Sequence, residues 1–410
     1  MIIFTFAMSI YGTPSLNQLV GLLNTLLPEI DVSREAFHQR INEHAVTFFE
    51  TMLSLAIELE FPEKINLSVL DAFERILIFD STSFQLPEKL ASYFKGAGGN
   101  SSKSAIKIIF GYDFKSSQFF YTLLNGTDAD HLINNGMMDE IGTKDLVLVD
   151  LGYFGIPTFA EIDAKDAFLL SRLKSNAIPH ILNEETGELE KADLIKLLKH
   201  VSYEPKEARV YLKSKDEMIS ARLIMEKVPD AVKEKRLRKL RKTDSRSRKQ
   251  SRKRTKMLQG FNLYITTASS EDIPTESVRK FYTIRWQVEL VFKNWKSNFK
   301  LDEVNGIRPE RIKTMIYAKL LLIFIVSKIT RLASFYVWNK SQREVSEFQA
   351  ARHFEIIGHH WMNTIIREPS KVVEVLRNAF SFITTSCLKC KSKKRTYPIE
   401  ILETISVSAS

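Results

Sequence analysis

One stretch constrains this chain more than any other. Residues Phe281 to Phe299 read as one amphipathic helix, with Phe281, Ile284, Val288, Val291, Phe292, Trp295 and Phe299 recurring at the helical period. Thr275 is expected to cap its N-terminus, with Glu276 in the first turn, where the helix dipole favours an acid. Beside the apolar face runs a polar stripe of Tyr282, Arg285, Glu289 and Lys296. At about 100° per residue these four fall within roughly 60° of one another. An acid flanked by two cations and a phenol, at the rim of a buried helix face, can hold a metal and a phosphate together. A solvated stripe with an Arg285–Glu289 i,i+4 pair is the bland alternative, and the stripe alone does not separate the two.

The distribution of charge carries more information than its total. The formal charge is +10, but between Lys233 and Lys256 there are 14 Lys/Arg against two acids, a local net of +12. The remainder of the chain is therefore close to −2, and the basicity is one patch. That run, without aromatics and rich in Ser, Arg and Lys, makes a poor core; it is expected as a mobile loop or exposed helix that grips nucleic-acid phosphates through residues such as Arg246, Arg248, Lys249, Arg252, Lys253 and Arg254. With 410 residues the chain can bury a large core in two to four domains. Two cysteines, Cys387 and Cys390, make no disulfide framework and fit a reduced, cytosolic setting. The apolar opening lacks a basic n-region and a small-residue cleavage site, so it is not read as a signal peptide. The apolar run Met315–Ile329 is short and contains Lys319 and Lys328, which favours a buried helix over a membrane span.

Taken in order, residues 14–60 read as two or three helices, with Ser33 as an N-cap; they suit either a DNA-reading helix pair or a plain bundle packed on the core. From Arg75 the period changes. Ile76-Leu77-Ile78-Phe79 is a continuous apolar run, the pattern of a strand buried on both faces, and is expected to end at Asp80. Strands are expected next at 105–112 and 118–124, then a short helix around His131–Ile141. Leu146-Val147-Leu148-Val149 repeats the buried-strand pattern and ends at Asp150. Asp after a strand is usually a turn residue. Two of them at the ends of central strands stand where α/β sheets place ligands. The segment Gly96–Ser104 lacks the glycine that a phosphate-binding loop needs before Lys-Ser and reads as a plain loop. Strands are expected within 179–258 (residues 208–212 and 219–228) and at Phe261–Thr267, with helices throughout beyond residue 300. His353, His359 and His360 lack metal-site spacing, and Cys387-Leu-Lys-Cys390 is half a zinc site without a second half.

These residues resemble a known family. Tyr282, Arg285, Glu289 and Lys296 match the Y-R-E-K signature of DDE transposases of the fourth insertion-sequence family, and Asp80 and Asp150 match their two catalytic aspartates. The segment 96–108 (GAGGNSSKSAIKI) resembles that family's linker between its first two strands, and the basic run before the signature helix is similar to it too; the resemblance covers roughly residues 70–340. The resemblance implies an α/β (α+β) fold: a ribonuclease H-like mixed sheet with flanking helices, a strand-rich insertion before the catalytic-Glu helix, and helical N- and C-terminal regions. The corresponding divisions are a helical region 1–70, core parts 71–178 and 259–300 around an insertion 179–258, and a C-terminal helical region 301–410 suited to dimerisation. It implies cut-and-paste transposition in a bacterial cytoplasm, at the nucleoid, acting on double-stranded DNA at terminal inverted repeats and at a target, as a DNA-bound homodimer and without a membrane. Asp80, Asp150 and Glu289 become the catalytic acids and ligands of two Mg²⁺ ions, with Mn²⁺ as a substitute. Their all-oxygen chemistry suits a hard cation. Tyr282, Arg285, Lys293 and Lys296 become DNA-binding residues. Family members place in the insertion a tryptophan that receives a flipped base. This chain has no Trp between 151 and 285, so Tyr203 or Tyr211 would have to substitute. The family also carries more sequence before its first helices; a shortened N-terminus raises the alternative of a catalytically inactive DNA-binding inhibitor derived from a truncated transposase.

Overall fold

A computed structural model describes residues 2–58, 70–99, 101–116, 118–128, 136–247 and 250–389, apart from the Gln287 side chain. The N-terminal layer is helical: α1 (Ile2–Tyr11), α2 (Leu16–Leu26), α3 (Arg34–Arg40) and α4 (Glu43–Glu58). Ser33 caps α3 as expected by accepting from the Ala36 N–H at 3.2 Å. The helix expected to run on from Ser33 instead breaks at Ile41–Asn42, because Asn42 accepts from the Ala45 N–H and starts a new helix. Then follow β1 (Ile76–Leu86), β2 (Ser104–Asp113), β3 (Phe119–Asn125), β4 (Leu146–Val149), α5 (Ile156–Ala164) and β5 (Phe168–Arg172). The segment 179–258 supplies β6 (His180–Leu182), β7 (Leu189–Lys191), α6 (Leu194–Lys199), β8 (Lys206–Lys213), β9 (Met218–Lys227), α7 (Asp230–Ser247) and α8 (Lys253–Leu258). The chain closes with β10 (Phe261–Thr266), α9 (Val278–Ile284), α10 (Trp286–Phe299), α11 (Pro309–Ser341), α12 (Glu347–Arg367) and α13 (Val372–Ser386).

The strands form one mixed sheet in the order β3-β2-β1-β4-β5-β10-β9-β8-β6-β7. Its first five strands carry the ribonuclease H-like arrangement: an antiparallel β1–β2–β3 meander, with β4 and then β5 added parallel to β1. The strand-rich segment does not stand apart, since β9 pairs with β10 and β10 with β5. Two cores cover the sheet, and strand alternation sorts residues between them. Ile76, Ile78, Leu146 and Leu148 face the core shared with α1, α4, α9, α10, α11 and α12. Leu77, Phe79, Val147 and Val149 face the opposite core, with Phe159 and Ile162 of α5.

Two expectations need correction. β1 continues through Asp80 to Leu86, because β2 pairs with it along that whole length; only the parallel partner β4 stops at Val149. Residues 136–140 form turns rather than helix, and 131–135 lie outside the described residues. The apolar opening is helix α1, packed on α11 and α12. α11 is long and apolar enough to cross a membrane, but 56% of its most apolar stretch is buried within the protein. Its Lys319 is fully buried, and the ammonium donates to the carbonyls of Lys300 (2.6 Å) and Glu303 just past the end of α10. Burial holds the pKa of that amine down to about 7.

Candidate active site

Alternation along the strands decides where the two aspartates point. Asp80 follows Ile76 and Ile78 at even spacing, and Asp150 follows Leu146 and Leu148, so both belong to the sheet face covered by α9 and α10. Register decides how close they stand. Phe79 pairs with Val149 on the parallel strands. The next residues, Asp80 and Asp150, are therefore neighbours across about 4.8 Å, the ordinary strand spacing. Glu289 arrives from above on α10, which is seated on the sheet by aromatic packing: the Phe110 ring of β2 lies 5.2 Å from Phe292 and 4.6 Å from Trp295.

Arg285 ties these acids together. Its Nη2 donates to Glu289 Oε1 at 2.6 Å, and its Nη1 stands 3.7 Å from Asp80 Oδ2. Burial works against the guanidinium charge, but the bond to Glu289 and the nearby negative charge of Asp150 outweigh it and raise the pKa. Burial pushes the Asp80 carboxyl up to about 6, opposed by the Ser81 N–H and Arg285 and reinforced by Asp150 and Glu289. The Tyr282 phenol is pushed up to about 12, chiefly by burial, so it remains a proton donor. Its hydroxyl lies 3.4 Å from the Val149 carbonyl, its ring packs on Tyr264 at 5.3 Å, and Arg285 sits 5.8 Å from the ring centre.

The helix is not the single rod read from its periodicity. It breaks at Arg285, whose N–H bonds the Tyr282 carbonyl three residues back in a tightened turn after β-branched Thr283 and Ile284. The break is local, since Arg285 keeps right-handed helical dihedrals and contacts both the Tyr282 ring and Glu289; along the stripe Tyr282 and Arg285 are buried and Lys296 is half-buried, while Lys293 is exposed. Thr275 does not cap a helix. Its hydroxyl donates to Glu207 and accepts from Arg222.

The donor set suits a hard divalent cation, being three carboxylates without thiolate or imidazole. Among the described residues, no three His, Cys, Asp or Glu side chains converge closely enough to ligate one as placed. The positive charge bridging Asp80 and Glu289 is the Arg285 guanidinium.

Two residues at the site escaped the sequence reading. Arg172 ends β5, and the Val149–Ser171 register sets it beside Asp150. Arg236 lies within electrostatic reach of Arg172, and both of them, with Arg279, lie within reach of the Tyr264 phenol. The continuous apolar run Ala167-Phe168-Leu169-Leu170, of the kind that marked β1 and β4, was the signal for β5 that went unread, and with it its last residue. Trp286, one residue past Arg285, is 55% exposed although it is a large aromatic. Two residues from both Ile284 and Val288, it lies about 160° from the apolar face, so helical periodicity itself turns this ring outward. Of the two tyrosines considered for an aromatic role, Tyr203 is exposed with the Lys227 ammonium 5.4 Å from its ring centre, and Tyr211 is half-buried on β8.

The basic run forms the exposed helix α7, which buries no residue. Arg246, Arg252 and Lys253 face solvent, whereas Arg254 donates to the Ala177 carbonyl at 2.7 Å. Arg248 and Lys249, Cys390 and the basic tail after it lie outside the described residues.

Residues 71–325 match the transposase DDE domain family model. The chain is similar to the transposase for insertion sequence element IS231F of Bacillus thuringiensis subsp. israelensis, 31% identical over 337 residues, covering 78% of this chain and 70% of that protein. It is 31% identical to the transposase for IS231E of Bacillus thuringiensis subsp. finitimus, over 82% of this chain and 72% of that one. With the transposase for IS1151 of Clostridium perfringens it shares 27% identity across 97% of this chain and 87% of its relative.

Proposed function

The chain belongs to the transposase DDE domain family, and on that premise we propose that it is an insertion-sequence transposase carrying out cut-and-paste transposition. The observation that carries the reading is the convergence of Asp80 and Asp150, on adjacent parallel strands, beneath the helix that bears Glu289. Two divalent ions, Mg²⁺ with Mn²⁺ as a substitute, would be held by these three carboxylates and would supply Lewis-acid stabilisation to the attacking and leaving oxygens. The reaction is hydrolysis of one strand at a terminal inverted repeat, followed by attack of the freed 3′-OH on a second phosphodiester, either across the element end as a hairpin or in target DNA.

The chain's own residues do the holding. Arg285 exchanges Glu289 for a DNA phosphate, a planar fork well matched to two phosphate oxygens. Tyr282 remains protonated and donates beside it, while Arg172, Lys293 and Lys296 add charge along the strand-end face. Arg246, Arg252 and Lys253, with Arg248 and Lys249 between them, grip the backbone without reading sequence. Trp286 offers an exposed ring on which an unpaired base can stack. Helices α1–α4 and α11–α13 serve DNA-end recognition and pairing of two copies on DNA, in the bacterial cytoplasm at the nucleoid.

The test is cleavage of a duplex carrying the cognate element end against one with that end scrambled, in Mg²⁺. Nicking confined to the element boundary supports the proposal. Equal cutting of both duplexes would reduce the protein to a sequence-tolerant nuclease, and binding without cutting would reduce it to an inhibitor.

A further inference from the structure

Arg222 sits mid-strand on β9, opposite Thr266 of β10, where alternation puts it on the face of Ile224, the side of the sheet that carries α9 and α10. Only 12% of its side chain is exposed, because the guanidinium is spent on the loop that leads into the catalytic helix. Nη1 donates to the carbonyls of Ala268 (3.0 Å), Ser269 (2.8 Å) and Ile273 (2.9 Å). Nη2 donates to the Thr275 hydroxyl at 3.0 Å and to Glu207 Oε2 at 2.5 Å, and Nε donates to the same carboxylate at 3.1 Å. Glu207, held on β8, also accepts from Thr275, so acid, arginine and threonine close a ring around the loop. Ala268 and Ile273 are fully buried, and the stretch between β10 and Thr275 has no strand or helix to satisfy their carbonyls. Four residues along β9, Glu226 makes a second link by accepting from Arg279 of α9 at 2.8 Å.

We propose that Arg222 is a positioning residue for strand cleavage: by fixing residues 268–275 it sets where α9 and α10 begin, and so where Arg285 and Glu289 stand relative to Asp80 and Asp150. This inference rests on the reading of the site given under Proposed function. A lysine cannot replace the fork, since one ammonium cannot reach a carboxylate, a hydroxyl and three carbonyls spread around a plane.

The experiment compares Arg222→Ala, Arg222→Lys and Glu207→Gln with Arg75→Ala in the full chain. Arg75 makes a comparable buried pair with Asp145 (2.5 Å), but just before β1, at the end of the strand pairing away from Asp80. Hydrogen exchange of the metal-free, DNA-free protein is read over residues 267–292, and kcat and KM are read for nicking of the element end. Both Arg222 variants are expected to exchange faster in that window, with kcat falling about ten- to 100-fold and KM for DNA unchanged. Glu207→Gln, made at a partly exposed side chain, should shift both readouts the same way to a smaller extent and serves if the Arg222 variants do not fold. Arg75→Ala should lose thermal stability without either change. Exchange over 267–292 and kcat in the Arg222 and Glu207 variants that match Arg75→Ala at equal loss of stability would overturn the proposal. If the wild-type protein itself does not nick, the functional reading falls, and the exchange measurement still decides whether Arg222 holds the helix entry.

Discussion

Asp80 is held at a cost. Its folded pKa, about 6, lies above the 3.8 of an unburied carboxyl, because burial and two neighbouring acids disfavour its charge. The unfolded chain therefore gives up this proton first as pH rises from about 4 to 6. The stability that Asp80 contributes is complete below the unfolded value and lost through the folded one. Asp80→Asn should accordingly stabilise the divalent-free protein at pH 7–8 by about 1–3 kcal/mol, the gain shrinking toward pH 4. Chemical denaturation of both proteins across that range measures it; a gain over the wild type no larger at pH 8 than at pH 4 would show that the carboxyl is not under this pressure. The same imbalance makes sense of Arg285, which lends the acids a positive charge when none is bound between them. These electrostatics were only partly legible in the sequence. Asp80, Asp150 and Glu289 stood out through strand-end position and helical spacing, but Arg172 becomes visible only once β5 is aligned beside β4.

At the scale of elements, α7 separates affinity from chemistry. It buries no residue, and it is tethered by Arg236, which donates to Gln259, Phe261 and Asn262, and by Asp244, which accepts from Ser251. Replacing Lys235, Arg238, Lys239 and Lys242 with Gln should leave the fold intact and weaken binding to every duplex alike. The slope of log affinity against log salt should become shallower by about 0.9 for each phosphate contact removed. Fluorescence anisotropy at several salt concentrations reads this, and an unchanged slope would mean that α7 does not touch DNA. That the basic run would be an exposed helix or a loop followed from charge alone, because twelve net positive charges cannot be buried together. The break at Arg285 was not legible. It is made by one i→i−3 hydrogen bond, from the Arg285 N–H to the Tyr282 carbonyl, and a single pairing of that kind leaves no periodic mark. For the same reason β1 was cut short in the reading: a polar Asp looks like a strand end, and only pairing with β2 carries the strand on to Leu86.

Across the whole molecule, residues far apart in sequence meet because one sheet organises both cores. β1, β4 and α10 come from positions 76, 146 and 286 onward, and each alternates or winds so that its acid falls on the same side. Phe281 anchors that convergence: it is fully buried and packs edge-on against Phe73, 6.1 Å away, just before β1. Phe281→Ala should cost about 3–5 kcal/mol, read as a lower denaturant midpoint at unchanged slope. A cost below 1 kcal/mol would show that α9 is not held where it is described. Strand alternation and helical period made most of this architecture readable. What they could not show was the joining of β6–β9 to the core sheet, since pairing partners are chosen in three dimensions and leave no local mark.

The most direct test of the central claim is Mg²⁺-dependent nicking at the cognate element end by the wild type and by Glu289→Gln, a swap that keeps shape and removes one carboxylate charge. The wild type is expected to nick at the repeat boundary, while the variant binds the same DNA with similar affinity and cuts at least about 100-fold more slowly. A Glu289→Gln protein that nicks at the wild-type rate would contradict the assignment of Asp80, Asp150 and Glu289 as one catalytic set.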